Sequence, residues 1–162
     1  MLVKWYIIKG CVNMKEYFNK AVDLALNGVK VGDGGPFGAV VVKNGKIVGC
    51  GNNKVLVNND PTAHAEIVAI RDACEKLGTY DLTDCIIYST SEPCPMCLSS
   101  IIWSNIKEVY FGTNRRDVSK IGFRDKLIYD YLSGKEQDVI KVKYIENQEC
   151  KDLLNEYDNT IY

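Results

Sequence analysis

The chain of 162 residues contains a single histidine, His64, in the stretch N-D-P-T-A-H-A-E, with Glu66 two positions after it. Further along, S-E-P-C-P-M-C sets Cys94 and Cys97 at C-x-x-C spacing. A lone histidine is ordinarily a satisfied core or surface residue, and C-P-M-C by itself also reads as a redox dithiol. Together the three residues supply one imidazole and two thiolates. That is the ligand number of a catalytic zinc site, which keeps a fourth position for water, whereas a structural zinc needs four protein ligands. The other cysteines (Cys11, Cys50, Cys74, Cys85 and Cys150) are scattered and offer no obvious fourth. Zinc lowers the pKa of bound water to about 7, and the site then needs a proton carrier. Glu66 suits that task; without the cysteine pair it would read as a solvent-facing helix glutamate.

These residues must be brought together by the elements that carry them. From Met14, Phe18, Val22, Ala25, Leu26 and Val29 fall at helical spacing, with Gly28 near the expected end. Two apolar runs, near 37–43 and 46–51, flank Asn44-Gly45, a strong hairpin signal because both turn residues tolerate positive φ. Asp60-Pro61-Thr62 reads as a helix start. Ile67, Ile70, Cys74 and Leu77 would form its buried face, up to Gly78. C-I-I-Y-S-T-S is a short strand leading into a helix patterned by Leu98, Ile101 and Ile102, which puts the cysteine pair at a strand-to-helix junction, in the first turn, where the helix dipole favours thiolates. I-K-E-V-Y-F-G-T is a further strand, followed by a short helix near 125–133, a late strand D-V-I-K-V-K-Y-I and a final helix C-K-D-L-L-N-E-Y-D. The β-β-α-β-α-β order predicts a mixed sheet covered by helices in an α/β three-layer arrangement. If both motif helices cover one face, their N-termini can meet at the sheet edge.

The composition is that of one globular domain, with 46% apolar and 25% charged residues. A net charge of −1 and a pI near 5.9 provide no global field for phosphate backbones. Lys4 and Lys9 interrupt the N-terminal apolar residues before a signal-peptide core of roughly 7 to 15 residues can form. No stretch reaches the ~18 apolar residues of a membrane span. An odd number of cysteines without a framework fits thiols in a reducing, cytoplasmic compartment.

H-x-E followed by P-C-x-x-C is the pattern of the zinc base deaminases. With G-G-P-F-G-A-V-V-V, N-D-P-T-A-H-A-E and S-E-P-C-P-M-C in that order, the chain resembles the cytidine-deaminase-like superfamily and, within it, the small bacterial guanine deaminases, from Met14 to about Leu132. The resemblance implies a cytidine-deaminase-like α/β/α sandwich with a central mixed sheet and one Zn2+ per chain, ligated by His64, Cys94 and Cys97. It implies Glu66 as proton shuttle, Phe37 packing on the base, and Asn53 and the Ala65 backbone holding its polar edge. On the sequence alone, Phe37 reads equally as a core aromatic and Asn53 as a turn residue. Asp125 closes a G-F-R-D segment that resembles the family's G-F-D-D, whose second acid takes part in proton transfer; here Arg124 replaces the first. The implied reaction is hydrolysis of guanine to xanthine and ammonia, with guanosine or aminotriazines as alternative substrates. The resemblance also implies a homodimer in which the C-terminal segment is exchanged and a terminal tyrosine, here Tyr162, closes the neighbouring pocket.

The rival within the superfamily is the tRNA adenosine deaminase, which needs basic surface to hold an RNA loop. Arg115, Arg116, Lys120, Arg124 and Lys126 could form one, though Asp117 and Asp125 interrupt them, and such a run also reads as a solvated face. Phe37 stands where tRNA-acting relatives have a small aliphatic residue, which favours a free purine base. A non-catalytic zinc or redox module leaves Glu66 unexplained. Residues 1–13 precede the resemblance and read as an extension of the 14–162 catalytic domain. A chain beginning at Met14 is therefore expected to keep the melting temperature and turnover of the full chain, and insolubility or a collapsed melting transition would make the extension part of the fold.

Overall fold

The computed structural model describes residues 12–157. Most of the expected N-terminal extension, and Tyr162, lie outside the described residues. The chain divides into two compact units, Met1–Tyr129 and Asp130–Tyr162.

The first unit is built on a four-stranded mixed sheet. Strands β1 (Gly38–Lys43) and β2 (Lys46–Asn52) form the expected hairpin, and its turn residues Asn44 and Gly45 take φ of 50° and 74°. β3 (Cys85–Ser91) pairs antiparallel with β1, and β4 (Glu108–Thr113) pairs parallel with β3, giving the order β2-β1-β3-β4. Helix α1 (Val12–Val31) covers one face, where Tyr17 packs with Val40, Val42 and Tyr88. Helices α3 (Ala65–Leu77) and α4 (Pro95–Trp103) cover the other, where Ala69, Ile70 and Ile101 pack with Ala39, Val41, Cys85 and Ile87. Alternation along β1 thus feeds two apolar layers, as a sheet buried on both faces requires. The predicted three-layer α/β/α architecture is the observed one.

Three details differ from expectation. In α1 the buried stripe is Tyr17, Ala21, Ala25 and Gly28, while Val22, Leu26 and Val29 face outward, Leu26 at 63% exposed. The helix continues past Gly28 to Val31. Backbone proximity explains the rotation: a Cβ at Gly38 of β1 would collide with the Ala21 carbonyl oxygen, so only small side chains fit at this seam. The second difference is at Asp60-Pro61-Thr62, which is a turn and not the helix start. Asp60 Oδ1 accepts from the Thr62 amide at 2.8 Å and its hydroxyl at 2.7 Å, and α3 begins only at Ala65 after a four-residue helix α2 (Val55–Asn58). α3 does end at Gly78, in the left-handed conformation that caps helices.

The third difference concerns the late strand. Residues 138–145 form no strand; Ile140, Val142, Tyr144 and Ile145 are exposed, Ile145 at 82%. A β-rich run becomes a strand only when a neighbouring edge takes up its backbone groups, and none does here among the described residues. Helices α5 (Arg115–Lys120), α6 (Asp125–Leu132) and α7 (Gln148–Glu156) complete the chain. α6 and α7 match the predicted helices near 125–133 and at the C-terminus. α5, which the sequence pattern does not signal, is set by a capping box between Asn114 and Asp117.

The contact that fixes α3 against the sheet is a close approach to β2. A Cβ at Gly51 would run into the Ala65 carbonyl oxygen and come within 2.5 Å of the Ala69 amide nitrogen. Gly51→Ala should therefore push the first turn of α3 off the sheet and destabilise the protein by about 1–3 kcal/mol. Denaturant unfolding reads the loss, and a shift below a few tenths of a kcal/mol would show that α3 sits less tightly than its backbone contacts indicate.

Candidate active site

Two helix starts converge at the site. His64 is the N-cap of α3 and Cys94 the N-cap of α4, both with extended backbone, and neither side chain caps its own helix. The imidazole and the thiol are thereby left free to turn toward each other. Pro95 opens α4, where its missing N–H carries no penalty, and Cys97 lies within the first turn. His64 Nδ1 is 3.7 Å from Cys94 Sγ and 3.5 Å from Cys97 Sγ, and the two sulfurs are 3.6 Å apart. Tetrahedral zinc with bonds of about 2.3 Å to sulfur and 2.0 Å to nitrogen sets its ligands about 3.5–3.8 Å apart. The donor triangle therefore has the chemistry and the size of a three-ligand zinc site, and among the described residues these three are the group that could hold a metal ion.

The hydrogen bond from the Cys97 thiol, helped by His64, holds Cys94 down to about 4, and the same bond together with burial pushes the Cys97 thiol up. Cys94 in turn raises the pKa of His64 through their hydrogen bond. A metal taken up here has to displace the Cys97 proton.

Glu66, in the first turn of α3, is 5% exposed, and burial pushes its carboxyl above the usual range. Its Oε2 is 3.5 Å from Cys97 Sγ, and its Oε1 accepts a 3.1 Å hydrogen bond from the Ser89 hydroxyl of β3. A pocket opens over this cluster, lined by Phe37, Asn53, His64, Glu66, Phe123 and Asp125, with Ser91, Glu92, Cys94 and Val118 completing its wall. Phe37 and Phe123 meet edge to face, with ring centroids 4.8 Å apart and an interplanar angle of 82°. Gly35 makes room for this corner, since a Cβ there would come within 2.7 Å of the Phe123 ring and 3.0 Å of Phe37. Asn53 is buried, and its Oδ1 accepts from the amides of Gly35 at 3.3 Å and Val55 at 3.2 Å, leaving its amide hydrogens as the polar group for a ligand.

Asp125, the first residue of α6, has its carboxyl raised by burial and then by the Cys94 charge. The segment leading to it is fastened beside the Cys94 loop. Glu92 Oε2 accepts from the Arg115 amide at 2.9 Å, the Arg115 guanidinium lies 4.8 Å from the Tyr129 ring centroid, and the Tyr129 hydroxyl donates to the Pro93 carbonyl at 3.3 Å. Arg124 is exposed and does not line the pocket.

His64, Glu66, Cys94, Cys97, Phe37, Asn53 and Asp125 thus meet around one pocket, with Ala65 buried at the first turn of α3. Sequence reasoning missed Ser89, Val118 and Phe123. For Phe123 a signal existed, an aromatic two positions before Asp125. Ser89 had none, since its role shows only in its contact with Glu66 across the core. Val118 had none, being placed by a helix that the pattern does not reveal.

Residues 12–113 match the family described as the cytidine and deoxycytidylate deaminase zinc-binding region. The chain is 51% identical over 118 residues to a guanine deaminase of Bacillus subtilis (strain 168), covering 73% of this chain and 76% of the relative. It is 38% identical over 123 residues to a tRNA-specific adenosine deaminase of Buchnera aphidicola subsp. Schizaphis graminum (strain Sg), covering 75% and 79%. Among solved structures, that of a guanine deaminase from Bacillus subtilis superposes with a TM-score of 0.83 at 41% identity, covering 91% of this chain and 97% of that one. The His64, Cys94 and Cys97 triangle lies within or at the heart of the matched region, and the chain belongs to the cytidine and deoxycytidylate deaminase family.

Proposed function

We propose that this protein hydrolyses guanine to xanthine and ammonia. The observation that carries the reading is the Phe37–Phe123 corner standing in one pocket with Glu66, Asp125 and the His64, Cys94 and Cys97 triangle. The extent of similarity to the Bacillus subtilis guanine deaminase supports the choice of base.

His64 Nδ1 and the sulfurs of Cys94 and Cys97 would hold the metal. Zinc bound there would supply Lewis-acid activation of a water, lowering its pKa to about 7. The remaining steps belong to the chain. Phe37 and Phe123 pack on the faces and edge of the flat ring and exclude bulk water. The Asn53 amide and the backbone N–H of Ala65, which at a helix start has no acceptor within the helix, hold the polar edge of the base. Glu66 takes the proton from the water that adds to C2 and hands it to the departing amine. Burial raises its pKa, which makes it a readier proton acceptor. Asp125 assists where the ammonia leaves.

The reading extends to a cytoplasmic homodimer in which the C-terminal segment serves the neighbouring subunit. It is supported by the apolar residues that this segment exposes: Val142, Tyr144 and Ile145 together with Leu153 and Leu154 of α7. No helix of the described residues is long and apolar enough to cross a membrane. The cation run expected of an RNA-binding surface is in part engaged locally, with Lys120 paired to Asp117 at 2.9 Å and Arg115 over Tyr129.

Purified protein should carry one zinc per chain, and Cys97→Ala should lose it; unchanged zinc in that variant would remove Cys97 from the ligand set. Glu66→Gln should keep the metal while turnover falls by roughly 10² to 10⁴-fold. Near-normal activity in that variant would assign the proton transfer elsewhere. Guanine should exceed adenine and cytosine by up to about 10⁴ to 10⁵, because a site that pairs a polar edge leaves buried groups unmatched with the wrong base. Ammonia release from guanine, guanosine, aminotriazines, adenine, cytosine and tRNA under the same conditions decides among them. Inosine in tRNA with no xanthine from guanine would transfer the reading to the tRNA enzymes.

A further inference from the structure

β3 presents Cys85, Ile87, Ser89 and Ser91 to the side covered by α3 and α4. Cys85 and Ile87 belong to the apolar core, and at Ser89 the row changes chemistry. The Ser89 side chain is 1% exposed, so its hydroxyl has no water to turn to and must find partners inside the protein. It has two. The Ser91 amide donates to Ser89 Oγ at 3.4 Å, and Ser89 Oγ donates to Glu66 Oε1 at 3.1 Å. A hydroxyl carries one donor and two lone pairs; with an N–H seated on the oxygen, the O–H is directed at the glutamate.

The two oxygens of Glu66 therefore have different surroundings. Oε1 is tied to the strand, and Oε2 faces the donor triangle, 3.5 Å from Cys97 Sγ. Nothing in the glutamate itself selects this orientation, since its terminal torsion is broad and nearly two-fold. We propose that Ser89 is a positioning residue for Glu66. It neither lines the pocket nor belongs to the donor triangle, and it clamps Oε1 so that Oε2 stays aimed where the attacking water and the departing amine meet. This rests on Glu66 as the proton carrier. A carboxylate released from the clamp still fills its place beside the ligands, but it spends part of its time with Oε2 turned away. The loss then falls on kcat, with zinc content and KM preserved, because a misaimed group penalises the reacting geometry more than ground-state binding.

The test compares Ser89→Ala, Ser89→Thr and Ser89→Cys in the full-length zinc-loaded protein. Ser89→Ala should bind one zinc per chain and keep KM within about twofold, while kcat falls about 10- to 100-fold. Ser89→Thr, which keeps the hydroxyl on a residue that strands accept, should recover most of kcat. Ser89→Cys, which keeps the shape with a weak donor, should stay nearly as slow as the alanine variant. A kcat within twofold in Ser89→Ala, threonine and alanine variants equally slow at normal melting temperature, or activity lost only in proportion to zinc would each overturn the assignment. A second readout needs no substrate: Ser89→Ala should lower the melting temperature when Glu66 is present and much less in a Glu66→Ala background. Equal drops in both backgrounds would show that the hydroxyl does not act through Glu66. If the parent protein leaves guanine untouched but releases ammonia from another base, the functional reading fails, and the same variants are compared on that base.

Discussion

The site depends on how closely the backbone of α3 lies against β2. Gly51 lets the Ala65 carbonyl and the Ala69 amide approach the strand, and this sets the height at which α3 begins. Its N-cap, His64, then falls level with Cys94 at the start of α4. Two helix starts on the same face of the sheet bring three donor atoms within 4.8 Å of one another although they are far apart in the chain. The crossover connections of the mixed sheet are what bring these two starts to one end of it.

Burial gives the same geometry its chemistry. Cys94, Cys97 and Glu66 are all buried, so each charge among them is set by its neighbours more than by solvent. The hydrogen bond from Cys97 lowers the pKa of Cys94, and burial raises that of Glu66. The Ser89 hydroxyl and the Ser91 amide continue this logic into the sheet, where a core strand ends in polar groups with partners.

The pocket wall is assembled differently. Phe37 and Asn53 come from the ends of β1 and β2, whereas Phe123 and Asp125 come from a segment held by small, local devices: the Asn114 capping box, the Glu92 contact to the Arg115 amide and the Tyr129 contact to Pro93. Such a segment has fewer buried apolar contacts than the sheet, and regions of that kind open at lower free energy than the core. That places Phe123 and Asp125 on the more adaptable side of the pocket, and Phe37, Asn53 and the ligand triangle on the rigid one.

Much of this was legible in the residues themselves. The His-x-Glu and Cys-x-x-Cys spacing named the donors, and Asn44-Gly45 named the hairpin, because a positive φ at two successive positions is a local property of those side chains. Short-range steric and chemical preferences of this kind survive folding. The orientation of α1 did not follow from local pattern: large apolar residues marked one face, yet the sheet took the face with Ala21, Ala25 and Gly28 because only small groups fit beside Gly38. The β-rich run at 138–145 formed no strand because a strand is completed by a partner edge and not by its own propensity. Ser89 and Val118 could be recognised only once β3 and α5 were in place beside Glu66 and the pocket. The sequence alone determined which atoms could bind a metal and move a proton, since those are properties of side-chain type. Tertiary structure decided which of them meet and which oxygen of Glu66 faces the site, since distances across the chain are set by packing.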